Sequence, residues 1–268
     1  MNTQPTVLVS VSKTGVATLT LNRAEKSNAF DPEMITALLT ALDQLKKQNN
    51  IRCLILNANG KHFSSGADLN WMKSMVLKTE ADNKQDAAQL AALLDRLYRF
   101  PTPTIAVVQG AAFGGALGLI CCCDITIASP QAKFCLSEAK LGLVPATIAP
   151  YVCRAIGARQ AQRYMLTTEL ITATMAQTSG IVHFVSDDIA LQTQHIINAL
   201  LNNSPNALHT IKQLCQQCEN NPIDQTLINY TSDLIAHIRC TPEAQEGIQA
   251  FFEQSQPSWS IRHDDKDH

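Results

Sequence analysis

Between Thr104 and Cys123 the chain runs 20 residues without a charged side chain. A stretch this long and apolar has to be hidden, either in a bilayer or in a protein core. Gly110, Gly114 and Gly118 fall four apart within it and give overlapping GxxxG spacings, a pattern of packed transmembrane helices. Its flanks and interior argue against a span. Pro101 and Pro103 fix an extended entry, Thr104–Val108 is a β-rich run of buried-strand length, and four glycines punctuate the remainder. The segment is therefore predicted as a buried strand, a glycine turn and a short buried helix, with no membrane association.

The rest of the composition fits a core of that kind. Of 268 residues, 46% are hydrophobic and only 16% charged, so the chain can bury a large core and is not disordered. That charge content is below the customary quarter or so, which suggests that partner subunits cover part of the surface. The 21 basic and 23 acidic residues nearly cancel, and no Lys/Arg cluster is present to track a nucleic-acid backbone. Nine cysteines include the adjacent Cys121, Cys122 and Cys123. Met1–Ser10 lacks the charged and apolar regions of a signal peptide, so a cytoplasmic setting with reduced thiols is expected. The adjacent three then read as core packing. Cys215-Gln-Gln-Cys218 lies in a helical pattern without a second pair, which favours helix packing over a metal or redox site.

Strands and helices alternate through the first part. Val7–Ser12 and Val16–Leu21 read as a hairpin around Lys13-Thr14-Gly15. Asp31 and Pro32 open a helix with Ile35, Leu38, Leu39, Leu42 and Leu45 on one face. Ile51–Leu56 is a strand, and Asp82 to Arg99 a helix with Ala87, Leu90, Ala91, Leu94 and Leu97 inward. Asp124–Ala128 and Lys133–Leu136 read as further strands. Ser204–Cys218, Ile223–Arg239 and Pro242–Gln254 are helical, and Ile261–His268 is a polar, frayed end. The expected class is α/β (α+β), with a core over residues 1–200 and a helical subdomain over 201–268.

Several chemistries lack their residues. There is no HExxH, paired CxxC, P-loop, strand-linked GxGxxG or GxSxG, and no metal site is expected. Two glycine turns remain, His62–Leu69 and Gly110–Gly115. Each could offer backbone N–H groups at a helix N-terminus, and two donors converging on one oxygen form an oxyanion hole worth about 3–4 kcal/mol per donor. Judged on spacing alone, the plainer reading, in which the glycines merely permit tight turns, is the favoured one.

The surrounding residues carry a further signal. Leu21-Asn22-Arg23 with Lys26-x-Asn28-Ala29-Phe30 is followed by Phe63-x-x-Gly66-Ala67-Asp68-Leu69. Pro103-x-Ile105-Ala106-x-Val108-x-Gly110 and Gly114-Gly115 lead to Cys123-Asp124. Phe134-x-x-x-Glu138-x-x-Leu141-Gly142-Leu143 and Glu246-Gly247-Ile248-x-Ala250-Phe251 complete the series. In this order, over nearly the whole chain, these segments resemble the crotonase superfamily of acyl-CoA enzymes. Asn70-Trp71-Met72, Gly118 and Ala149-Pro150-Tyr151 are most similar to the methylglutaconyl-CoA hydratase-like branch.

The resemblance implies a ββα spiral with C-terminal helices that build a homotrimer, often stacked into a hexamer. It implies an acyl-CoA substrate, with coenzyme A as part of the thioester and no separate cofactor. Ala67 and Gly115 are the matching oxyanion donors. Ser65, Gly66 and Asp68 would border the CoA adenine, and Lys26 would approach the pantetheine or phosphates unless it is simply a solvated loop lysine. Trp71, Met72, Met75, Tyr151 and Val152 are candidates to shape the acyl pocket. Of the two glutamates that the family's hydratases commonly use, the first falls on Gly118, which cannot transfer a proton. The second matches Glu138, the only carboxylate between Asp124 and Glu169. Its apolar neighbours would raise its pKa if buried, whereas on a surface it would pair with Lys140 or Arg154.

Two reactions suit one glutamate. The first is hydration of a 2-enoyl-CoA, branched or carboxylated, with Gly118 leaving room for water or a substrate carboxylate. The runner-up is double-bond isomerisation of a 3-enoyl-CoA. An acyl-CoA-binding protein with little catalysis is the reading from another class.

Overall fold

The computed structural model describes residues 5–260, and the polar end read at 261–268 lies outside them. Strands β1 (Val7–Val11) and β2 (Val16–Leu21) form the predicted hairpin. Asp31 caps α1 (Pro32–Lys46) by accepting the Met34 N–H, and all five predicted inward residues are buried. Strand β3 (Cys53–Ala58) begins two residues later than its hydrophobic run. The helix expected after the first glycine turn is α2 (Leu69–Val76), which starts from an Asp68 cap. Next, α3 (Glu80–Tyr98) opens on a capping box between Thr79 and Asp82. Its core face is Leu93, Leu94 and Leu97, while Ala91 is exposed and Ala87 and Leu90 border a cavity. The expected face holds at Leu94 and Leu97 and at Leu90, which packs against the core while also lining the cavity; it is corrected at Ala87 and Ala91, because the first half of the helix overhangs the cavity.

The uncharged segment divides as β4 (Thr104–Val108), a short β5 (Ala111–Phe113) inside the expected turn, and α4 (Gly115–Cys122). Strands β6 (Ile125–Ala128) and β7 (Lys133–Cys135) follow. Helices α5 (Ala149–Ile156) and α6 (Ala158–Thr167), unread in the sequence, precede β8 (Ile171–Thr172), α7 (Ala173–Ser179), β9 (Phe184–Val185) and α8 (Ile189–Leu201). The expected helical tail is α9 (Pro205–Asn220), α10 (Gln225–Arg239) and α11 (Pro242–Glu253). Among the described residues, no helix is long and apolar enough to cross a membrane.

One sheet has the order β1-β2-β3-β4-β6-β9, parallel except for the hairpin, and a second has β5-β7-β8. Both faces of the large sheet are covered, which explains its continuous apolar strands. Period-two alternation sends Leu54, Leu56, Ala106 and Val108 into the main core with α1, α3 and α4. Cys53, Ile55, Ile105, Val107 and Ile127 face the other way, against Ile197 and Leu201 of α8. The boundary read at residue 200 therefore falls on the last residues of a helix that covers the sheet.

Cys122 and Cys123 are buried and Cys121 half-buried, and burial pushes the Cys121 thiol up to about 12. All nine cysteines are free, in keeping with a packing role for the adjacent three. Cys215 and Cys218 are exposed on α9, so the packing role read for them is not met within this chain.

Candidate active site

The two glycine turns are brought together by backbone bridges. Phe63 N–H donates to the Gln109 carbonyl at 2.8 Å and Ser64 N–H to that of Ala111 at 3.0 Å. Phe113 N–H returns a bond to Ser64 at 3.0 Å. On the far side, Phe30 N–H donates to the Gly66 carbonyl and Asp68 N–H to the Phe30 carbonyl, both at 2.7 Å. Along an extended strand, successive peptide groups face opposite ways. Ala67 N–H is therefore directed away from Phe30, and among the described residues it donates to no acceptor. Gly66, at φ +95, accommodates the close approach of the Phe113 carbonyl, 3.2 Å from where a Cβ would lie.

The second donor follows from helix geometry. Gly115 is the first residue of α4, where a backbone N–H has no intrahelical acceptor, and it has none elsewhere among the described residues. Gly114 before it adopts φ +54, and its own N–H bonds the Cys135 carbonyl at 2.9 Å.

Ala67, Gly115 and Glu138 line one cavity of about 570 Å³. Phe30, Ser65 and Gly66 border the first turn, and Trp71, Met72, Met75, Ala87, Leu90, Val144 and Ile148 supply apolar wall. Tyr151 and Val152, expected here, are elsewhere: Tyr151 packs edge-on against Tyr98, and Val152 is fully buried in the core. A cavity of about 700 Å³ among the C-terminal helices holds Glu243, but that carboxylate is bonded to Ser204 and Asn206.

Glu138 begins a 3-10 turn, Glu138–Leu141. Its Oε2 is buried without a hydrogen-bond partner. Burial pushes its carboxyl above the usual range, against a smaller opposing effect of its own backbone N–H. The alternative pairing with Arg154 is not made, since that guanidinium bonds Glu219 at 3.4 Å and lies over Tyr98. Asp86 also lines the cavity but is paired with Lys78.

Gly118 corrects an expectation. A Cβ built there would lie 2.3 Å from Ile148 Cγ2 and 3.1 Å from Leu94 Cδ2. No space for water or a substrate carboxylate adjoins it, because Ile148 fills it.

Asp68 is already occupied. Its Oδ1 caps α2 through the N–H groups of Asn70 and Trp71, and its Oδ2 meets Arg23 at 3.3 Å and Lys26 at 3.7 Å. Burial alone would raise its pKa, but these partners together hold it below the usual range. Asp68 thus builds the turn and orients the half-exposed Lys26, which stands outside the cavity lining.

Asn28 has a supporting role that the sequence motif did not disclose. Fully buried at φ +52, it accepts the Arg23 N–H and donates to the Asn59 and His62 carbonyls at 2.8 and 2.9 Å. It thereby ties down the loop leading to Ser65 and Ala67. A side chain that satisfies three backbone groups at a left-handed position is visible only once the loops are paired.

Taken together, two free N–H groups, one buried carboxyl and an apolar cavity can hold a carbonyl oxygen that gains negative charge while a proton moves nearby. Known proteins resemble the chain in sequence and share its fold. The sequence profile of the enoyl-CoA hydratase/isomerase family matches residues 12–262. A crystal structure of an enoyl-CoA hydratase from Shewanella pealeana is 48% identical, with a TM-score of 0.92 over 95% of this chain and 96% of that one. A putative enoyl-CoA hydratase from Thermus thermophilus is 31% identical over 93% of this chain and 99% of its own. A trans-2-decenoyl-[acyl-carrier-protein] isomerase from Streptococcus mutans is 32% identical over 92% and 95%. The chain belongs to the enoyl-CoA hydratase/isomerase family and has the crotonase fold.

Proposed function

We propose that the protein hydrates a 2-enoyl-CoA, with Glu138 as its one acid–base group. The observation that carries this reading is the buried, unpartnered Glu138 carboxyl in one cavity with the free N–H groups of Ala67 and Gly115. The thioester oxygen accepts both N–H groups. Glu138 takes a proton from water as the hydroxide oxygen bonds Cβ. The electron pair of the double bond moves through Cα to the thioester oxygen, giving an enolate held by the two donors. Glu138 then returns the proton to Cα, and the carbonyl re-forms. Water is consumed, nothing else leaves, and the carboxylate is regenerated. The 48% identical hydratase supports this direction.

Ser65 and Gly66 line the cavity on the first turn; in this reading the CoA end lies along that turn, and Lys26 meets its phosphates. Coenzyme A arrives as part of the substrate and no other cofactor takes part. The exposed Ile248, Phe251 and Phe252 of α11 suit burial between copies of the chain, in a homotrimer or hexamer. Nine free thiols suit the reducing cytoplasm.

A second reading is favoured by Ile148. With its side chain against Gly118, no second proton-transfer group can stand there. A 3-enoyl-CoA isomerase needs only one base, which removes a proton at C2 and returns it at C4. Purified protein separates the two. Loss of the conjugated thioester absorbance of crotonyl-CoA marks hydration, and its gain from a 3-enoyl-CoA marks isomerisation. Silence with both, and with methylglutaconyl-CoA, would point to a binding protein.

A further inference from the structure

Gly114 touches both halves of the site. Its N–H donates to the Cys135 carbonyl at 2.9 Å, which ties the oxyanion turn to the strand that ends three residues before Glu138. A Cβ on Gly114 would lie 3.2 Å from Glu138 Oε1 and 3.8 Å from its Cδ. The residue that follows, Gly115, carries a free N–H. At φ +54 and ψ −123 the backbone is one that only glycine adopts without strain.

We propose that Gly114 is a positioning residue: its bare Cα leaves the place in which the Glu138 carboxyl rests beside the oxyanion donor Gly115. The contact is with the reacting end of Glu138, so a side chain at 114 presses the carboxyl itself out of place by a few tenths of an ångström. Backbone strain at 114 bears on stability and on the adjoining Gly115 N–H, whereas the pressed carboxyl depends on the length of residue 138, so the double variant separates the two. The proposal rests on Glu138 as the base, and its test keeps the two apart.

Gly114→Ala, Glu138→Asp, the double variant and Glu138→Gln are compared with wild type in kcat, KM and pH profile, on whichever of the two enoyl-CoA substrates wild type turns over. Misplacement of a catalytic group by about 1 Å costs roughly 10²-fold. A shift of a few tenths of an ångström is a fraction of that, so Gly114→Ala is expected to lower kcat about three- to tenfold, with KM changed less than about threefold. The acid limb of its pH profile should move down as the carboxyl leaves its buried place. Glu138→Asp withdraws the carboxyl from Gly114 by one methylene and is expected to lose about 10²-fold in kcat. In the double variant the shorter carboxyl no longer meets the Cβ, so the loss should be smaller than the product of the two single losses.

A Gly114→Ala enzyme within twofold of wild type, beside an inactive Glu138→Gln, would overturn the positioning role and leave Glu138 as the base. Losses that multiply without interaction would do the same. Should Gly114→Ala fail to fold, Glu138→Asp decides alone: a kcat within threefold of wild type overturns the proposal. Full activity in Glu138→Gln would instead remove the reading beneath it.

Discussion

Ile148 Cγ2 lies 2.3 Å from the point where a side chain at Gly118 would begin. The glycine is there because a neighbour has taken its space. Its helix, α4, starts at the oxyanion donor Gly115, so the same turn of helix presents a free N–H to the cavity and a bare Cα to Ile148. A second carboxylate cannot be added at 118 without first removing Ile148.

Gly118→Ala is therefore expected to destabilise by overpacking, by about 1–3 kcal/mol, even though alanine is the better helix former. Combining it with Ile148→Ala should recover part of that cost, since the two residues share one space. Urea unfolding of the singles and the pair measures the coupling. Strict additivity would show that the contact does not limit the site.

The buried carboxyl of Glu138 should make its own enzyme less stable at neutral pH. Its pKa is raised in the folded state, so the folded chain binds that proton more tightly than the unfolded one. This contribution is fully present below the unfolded carboxyl's pKa and is lost as pH rises through the folded value. Glu138→Gln should thus melt with wild type in acid and above it at pH 8. Thermal melting of both proteins across that range is the check, and a Gln variant that melts lower at pH 8 would contradict it.

Arg52 holds the helical tail to the sheet. Its guanidinium donates to the Leu201 carbonyl at 3.0 Å, to Asn203 at 3.1 Å and to Trp259 at 3.2 Å. Hydrogen bonds from charged donors contribute about 1.5–3 kcal/mol, and Arg52→Met should lose stability of that order. Limited proteolysis should then cut first around residues 202–204, between α8 and α9.

Lys26 is half-exposed, and its contact with Asp68 is a long one. Lys26→Ala should leave the fold and kcat nearly unchanged and raise KM for a CoA thioester about two- to fivefold, as expected for one screened ion pair. Steady-state kinetics at low and high salt provide the test. A fall in kcat with constant KM would place Lys26 elsewhere.

Much of this was legible in the chain because local signals agreed with the fold. Asp31-Pro32 and the 3.6-residue period marked α1, and a continuous β-rich apolar run of buried-strand length marked β4. Where tertiary contacts decide, the sequence was silent or misleading. The three residues of β5 form a strand only because Ser64 and β7 pair with them. The inward face of α3 depends on the cavity beneath its first half. Ala67 and Gly115 were marked by motif, but their free N–H groups follow from the Phe30 bridge and the helix start. Gly118 looked like open space because Ile148, thirty residues on in the sequence, gives no local sign of packing against it.

The most direct measurement is the conjugated-thioester absorbance of crotonyl-CoA, and of a 3-enoyl-CoA, with wild type and Glu138→Gln at equal folding. Wild type should change one of these signals, and the variant should do so about 10²–10⁴-fold more slowly. Equal rates in the two proteins would contradict the role of Glu138, and no change with either substrate in wild type would contradict the proposed reaction.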